Sequence, residues 1–221
     1  MKKIMFNDRY GLTQAVLEGR KTMTRRIVPD STMRMAQMEV NTVGGELTER
    51  IKEHTFYCFL DELAVAQSYG NITRYMNSDD YLSPKYNSFL AHGPHLNDEA
   101  GWNNKMFVRA DLMPHRIRIT GIKVERLQDI TDDDCLKEGI DDDFADGALL
   151  YWWPVPHEGI TWEEYKRRTA ELSCHIRNGK SGEYFWDTPQ KAFASLIDRI
   201  SGPGTWQNNP YVFAYSFKLV K

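Results

Sequence analysis

HRIRITGIKVERL, residues 115–127, carries the plainest structural pattern in the chain. Ile117 and Ile119 alternate with arginines, which is the period of a strand with one buried face. Gly121 interrupts the phase, and Ile122 and Val124 resume it one residue later. A one-residue slip moves every later side chain to the other face unless an extra residue is looped out. The stretch therefore predicts one bulged or sharply bent strand.

Downstream, Thr131-Asp132-Asp133-Asp134 fits a capping box opening a short helix that Gly139 closes. Near the end, Thr188 is placed to cap a helix with Pro189 at its first position. Phe193, Leu196, Ile197 and Ile200 line one face, and Gly202 stops it. Tyr211 to Val220 then reads as a closing strand, with Tyr211, Phe213, Tyr215, Phe217 and Leu219 on one side. Upstream, Lys105 to Val108 and Leu63 to Tyr69 read as strands, and Lys2 to Phe6 as a short opening strand. Asn7 or Asp8 is a cap for a helix with Leu12, Ala15 and Val16 inward and Gly19 at its C-terminal end. Strands outnumber helices in these parts and are not spaced by regular crossover helices. That favours an α+β fold or small barrel over a Rossmann-like sheet.

The expected organisation is a single domain over residues 1–221, with a core of about 1–27, 56–69, 104–140 and 190–221. Residues 28–55 are polar with a Gly44-Gly45 turn, and are set aside as an insertion. Two large excursions follow: 70–103, rich in Asn, Ser, Asp, Gly and Pro, and 141–189, acidic at first, then Trp- and Pro-rich, then helical around Trp162 to Leu172.

Composition narrows the classes. At 221 residues, 41% hydrophobic and 27% charged, the chain has a globular profile. A formal net charge of -3 gives no global attraction to polyanions, so any nucleic-acid contact needs a local basic patch. No apolar run reaches the roughly 20 residues of a membrane span. Cys58, Cys135 and Cys174 are odd in number without CxxC spacing, which argues against a disulfide framework and a zinc ribbon. The expectation is a cytoplasmic protein with reduced thiols, without metal or cofactor and without a membrane.

One segment is chemically distinctive. Gly19-Arg20-Lys21-Thr22-Met23-Thr24-Arg25-Arg26 packs four cations and two hydroxyls with no acid among them, and reads as a polar basic loop. Such crowding attracts an anion or electron-rich ligand and depresses the pKa of the least hydrated lysine, which can then act as a base. A solvated basic loop without a partner is the plain alternative. Glu138 stands at the end of the short helix, where its carboxylate meets the negative end of the dipole. That placement costs about 0.3–1 kcal/mol and calls for a compensating cation.

These residues resemble a known family. Gly19 to Arg26 is similar to the GxKTxTxR signature of the ASCH domain. MFVRADLMPHRIRITGIKVERLQDITDDDCLKEGI, beginning at Met106 and running through Glu138, resembles the family's central strands and following helix. Ala192 to Lys218 resembles its closing helix and strand. The resemblance implies a PUA-like small β-barrel with flanking helices and a pocket for a nucleobase, nucleoside or RNA. It also implies an amidohydrolase activity on an acylated nucleoside such as N4-acetylcytidine. By motif the hydrolytic residues are then Lys21, Thr24 and Glu138: a base, a nucleophile or water-orienting hydroxyl, and a proton shuttle. Two alternatives stand beside it: a non-catalytic RNA-binding module, and a phage accessory protein acting through an unknown protein partner.

Arg20, Arg25 and Arg26 are expected to hold Lys21 neutral and to contact the ligand. If the loop and the helix share a pocket, Lys21 and Glu138 should approach within a few ångströms. Gln67 and Ser68, with Asn104 and Lys105, flank expected strands and are candidates to hydrogen-bond a base. Trp206, with Trp152 and Trp153, is a candidate to stack on one, although an aromatic beside proline is more often packing. His92, His95, His157 and Cys174-His175 lack metal-ligand spacing, Asp141 to Asp143 lacks a calcium-loop pattern, and Cys135 reads as a buried, inert thiol.

Overall fold

A computed structural model describes residues 1–76, 101–145, 148–152 and 186–220. The expected helix around 162–172, His92, His95, His157, Cys174-His175 and Trp153 lie outside them.

The architecture is α+β, built on a five-stranded mixed sheet in the order β1-β3-β4-β7-β2. Its strands are β1 (Lys3–Ile4), β2 (Met23–Ile27), β3 (Glu62–Val65), β4 (Arg116–Arg126) and β7 (Tyr211–Val220). β1 lies parallel to β3, and the other pairings are antiparallel. No ladder joins β1 to β2 among the described residues, so the sheet is open there. β5 (Asp141–Ala145) and β6 (Ala148–Trp152) form a separate hairpin at the start of the second excursion.

The phase slip in β4 is real. Ile119 faces Phe217 on β7 and Gly121 faces Ser216, leaving Thr120 as the extra residue of a bulge. β7 runs between β4 and β2 and buries residues of both phases, Val212 and Ala214 as well as Phe213, Tyr215 and Phe217. β3 also alternates between two cores: Leu63 and Val65 enter the main one, while Ala64 and Ala66 join Tyr69, Ile72, Val108 and Met113 in a smaller one.

The helices are α1 (Leu12–Leu17), α2 (Asp30–Val43), α3 (Leu47–Glu53), α4 (Tyr69–Met76), α5 (Asp132–Lys137), α6 (Pro189–Ser201) and α7 (Thr205–Asn208). α6 starts as its residues dictate, with Thr188 accepting from the Lys191 amide and Pro189 at the first turn. Thr131 likewise accepts from the Asp134 amide to open α5.

Five local expectations change. The strand read over Leu63 to Tyr69 ends at Val65, and Tyr69 already opens α4. Asn7 caps a 3₁₀ turn at Asp8–Tyr10, and α1 begins only after Gly11 turns the chain at φ 63°. Residues 28–55 hold α2 and α3, which put Ala36 and Ile51 fully into the main core and meet at the Gly44-Gly45 turn. The face of α2 is thin, which is why its polar sequence concealed a packed helix. Lys105–Phe107 is a 3₁₀ turn rather than a strand. The GRKTMTRR segment is no loop beyond Thr22: Met23 onward is edge strand β2, paired along β7 from Met23↔Ser216 to Ile27↔Val212.

Candidate functional site

α1 ends at Leu17 and Gly19 takes φ 77°, reversing the chain toward the sheet. The next residues are held by three elements at once. Lys21 N–H donates to Ala15, Thr22 N–H donates to the Lys137 carbonyl, and the Phe217 amide donates to the Thr22 carbonyl, at 2.8–2.9 Å. This backbone anchoring points Lys21 inward at 2% exposure, followed by Thr24 and Arg25, also buried.

From the other side comes the end of α5. Glu138 is its C-terminal cap, and Gly139 turns away at φ 97°. A Cβ at Gly139 would sit 3.5 Å from Lys21 Cβ, so the two segments pass in van der Waals contact. Lys21 Nζ donates to Glu138 Oε2 at 2.5 Å and to the Glu138 carbonyl at 2.6 Å. The ammonium thus answers both the carboxylate and the negative helix end.

Burial pulls the Lys21 pKa below the usual lysine range; Glu138 opposes that shift, and Arg26 and Arg25 add to it. The direction is the one expected from the cation-rich segment, but removal from water is the first cause. Arg20 takes no part: its guanidinium turns outward to Asp141 at 2.8 Å and to Glu18 at 2.7 Å.

Arg25 carries the rest of the network. Its Nη1 donates to Glu138 Oε1 at 3.2 Å, and its Nη2 donates to Glu125 Oε1 at 2.6 Å and Asp134 Oδ2 at 2.9 Å. Lys123 Nζ closes the group, 2.9 Å from both Glu125 Oε2 and Asp134 Oδ2. Two buried cations, Lys21 and Arg25, and the half-exposed Lys123 thus face the three carboxylates. Burial alone would raise Asp134, but hydrogen bonds from Lys123 and Arg25 hold its carboxyl below the usual range. Arg26 donates to the Met5 carbonyl, and its guanidinium and the Lys21 ammonium each stand 5.9 Å from the Phe6 ring centre.

Lys21, Thr24, Arg25, Arg26 and Glu138 all line one cavity of about 690 Å³. Much of the remaining lining is apolar: Phe6 and Leu12, with Phe193, Leu196, Ile197 and Ile200 from α6. The α6 stripe, read as core, therefore also faces this space. Tyr57, beside the opening strand, also lines it, and its hydroxyl is pushed up in pKa by burial.

The remaining candidates lie elsewhere. Ser68 accepts from the Asn71 amide at the start of α4, and Asn104 accepts from the Met106 amide in its 3₁₀ turn. Lys105 is nearly buried, donating to Phe6, to Asp8 Oδ1 at 2.8 Å and to Thr13 Oγ1 at 3.3 Å. Trp206 packs edge-on against Phe193 with ring centres 6.3 Å apart. Gln67 lines a second, smaller cavity.

The sequence reading missed Glu125, Asp134 and Lys123. One signal was available: Asp134 and Glu138 are four apart on one helix, and so share a face. Glu125 and Lys123 had none, because their partners enter from β2 and α5. Cys135, buried beside them, has its thiol pushed up to about 12 by burial. No cluster of three or more His, Cys, Asp or Glu is placed to hold a metal, and no helix is long and apolar enough to cross a membrane, among the described residues.

No family model, curated protein or solved structure matches the chain.

Proposed function

We propose that the chain is an ASCH-type, PUA-like protein that binds a nucleobase or nucleoside in the 690 Å³ cavity and hydrolyses an acyl amide on it. The observation that carries this reading is the meeting of Lys21, Thr24 and Glu138 in one cavity, although 117 residues separate Lys21 from Glu138.

The chemistry needs a nucleophile, a base for its proton and a donor for the leaving amine. Within the Lys21–Glu138 pair the proton between them moves to the carboxylate. Thr24 Oγ1 adds to the acyl carbonyl carbon while its own proton passes to the Lys21 amine so freed. As the tetrahedral carbon collapses, the C–N bond breaks and the exocyclic amine takes a proton from the Lys21–Glu138 pair. Water then cleaves the threonine ester, releasing the carboxylic acid and restoring the hydroxyl. Burial supports a neutral Lys21 by disfavouring its charged form.

The disposition of the cations favours a small ligand over RNA. Arg20 is paired with Glu18 and Asp141, Arg25 with three carboxylates, and Arg26 with a backbone carbonyl. A phosphate chain would have to displace acids at Arg20 and Arg25 and the Met5 carbonyl at Arg26.

The test is incubation of the purified protein with a panel of acylated nucleosides, N4-acetylcytidine among them, followed by chromatography. Release of the parent nucleoside is expected. Lys21→Arg should abolish it, because guanidinium stays protonated, and Glu138→Gln should lower it by roughly 10²–10⁴-fold. No deacylation of any member, together with tight and strongly salt-dependent RNA binding, would replace this reading with the RNA module.

A further inference from the structure

The connection from α3 to β3, residues 55–61, packs on β7 through aromatic rings. Tyr57 stands edge-on to Tyr215 with ring centres 5.3 Å apart, and Phe56 stands edge-on to Phe213 at 6.5 Å. Phe213 and Tyr215 are themselves 6.0 Å apart, so the four rings form a chain. Thr55 Oγ1 shares a hydrogen bond of 2.6 Å with the Tyr215 hydroxyl, and Lys2 Nζ donates to the Phe56 carbonyl at 3.0 Å. Phe56 is thus held in place by its neighbours.

Strand register relates these rings to the reactive residues. Thr24 pairs with Tyr215 and Arg26 with Phe213 across the β2–β7 ladder. Phe56 therefore packs two residues of strand, about 7 Å, beyond the level of Thr24. Thr24, Arg26, Phe56 and Tyr57 all line the 690 Å³ cavity.

Exposure is graded along that lining. Lys21, Thr24 and Glu138 are at most 5% exposed, whereas Phe56 is 57% exposed, and Ile27 and Ile200 are 39% and 37%. A single exposed apolar side chain needs no explanation, but three around one cavity mark its mouth as a contact surface. Lys3 also lines the cavity, yet its ammonium spends its three protons on the carbonyls of Lys105, Met106 and Val108. What the mouth presents is apolar surface and the ring of Phe56.

We infer that Phe56 determines which acylated amines this cavity accepts: a flat heterocycle carrying the acyl amide stacks on the Phe56 ring, with its acyl carbon at Thr24. The inference rests on the hydrolytic reading of the cavity. In such an amide the nitrogen is bonded directly to the ring, which suits an aromatic platform a short step along the strand from the nucleophile. An acylated aliphatic amine has no π-face to place there and gains no stacking.

The test reads binding and turnover separately. Calorimetry of the full chain with cytidine measures ring recognition with no amide to cleave. Kinetics on N4-acetylcytidine, with Nε-acetyl-lysine amide as the aliphatic control, measure hydrolysis. Phe56→Ala should raise the cytidine Kd and the N4-acetylcytidine KM by roughly 5–150-fold, the range for one base–aromatic stack, and leave kcat unchanged. Phe56→Leu, apolar without a ring, should lose most of the same affinity, and Phe56→Trp should keep it. Parent-like binding by Phe56→Leu would overturn the inference and leave an apolar rim only. A fall in kcat with Kd and KM unchanged, equal turnover of the aliphatic amide, or failure of the parent to bind cytidine would also overturn it. Cytidine binding that depends on Phe56, without deacylation of any substrate, would retire the hydrolysis and leave the stacking site standing.

Discussion

Arg25 Nη2 lies 2.9 Å from Asp134 Oδ2 and 2.6 Å from Glu125 Oε1, so one guanidinium joins edge strand β2 to both α5 and β4. Its side chain is only 1% exposed. Removing it leaves three carboxylates with only two close cations, Lys123 shared by Glu125 and Asp134, and Lys21 on Glu138. Arg25→Met should therefore destabilise the fold by about 3–5 kcal/mol, the range for breaking a buried pair from one side. Urea unfolding measures it, and a loss below 1 kcal/mol would show the network to be dispensable.

Lys21 predicts a separation of stability from activity. Lys21→Met leaves the Glu138 carboxylate with Arg25 alone, and should lose several kcal/mol by the same one-sided breakage. Adding Glu138→Gln removes the stranded charge and should recover part of that stability while restoring no activity. Unfolding curves and turnover on the same samples make the comparison. Additive losses in the double variant would mean that the two groups are energetically independent.

The acid limb of stability should report Asp134. Its folded pKa is held below its unfolded value by Lys123 and Arg25, so the stabilisation is fully present above about pH 4. As pH falls through the lower, folded pKa, that contribution disappears. Asp134→Asn should accordingly be less stable than the parent at pH 7 and converge with it near pH 2. Parallel stability curves across that range would remove Asp134 from the acid response.

Two glycines should respond oppositely. The β4 bulge leaves Thr120 unpaired, and a Cβ on Gly121 would meet Ser216 at an ordinary 3.5 Å. Gly121→Ala should be neutral or stabilising by up to about 1 kcal/mol. Gly139 has comparable space but sits at φ 97°, so Gly139→Ala should cost about 1–3 kcal/mol through backbone strain. Because Gly139 also sets the approach of Glu138 to Lys21, its variant should lose activity as well. Thermal unfolding of the pair is the check.

Cys135 and Cys58 should differ in reactivity. Burial pushes the Cys135 thiol up to about 12, while Cys58 is exposed. In a Cys174→Ser background, iodoacetamide at pH 8 should label one thiol per chain, at Cys58. Rapid labelling of Cys135 in the folded state would contradict its burial.

Patterns that depend on near neighbours were legible in the chain. The Thr188-Pro189 start of α6, the Thr131 cap of α5 and the existence of strand β7 follow from capping and from local pattern, which a few adjacent residues express, although β7 buries both faces rather than one. The slip at Gly121 located the bulge, although Thr120 rather than glycine is the extra residue. α2 and the strand character of Met23–Ile27 were not legible, because each depends on a distant partner. α2 buries little of itself, and β2 hides a cation, Arg25, that no local rule would place inside. Four closely spaced cations announce a potential, and the sequence alone thus marked the GRKTMTRR segment as chemically special. Only folding assigned the cations their tasks, sending Arg20 outward to Asp141 and Lys21 inward to Glu138. The reason is physical: a charge can be buried only where opposite charge meets it, and here that charge arrives from β4 and α5, about a hundred residues further along the chain.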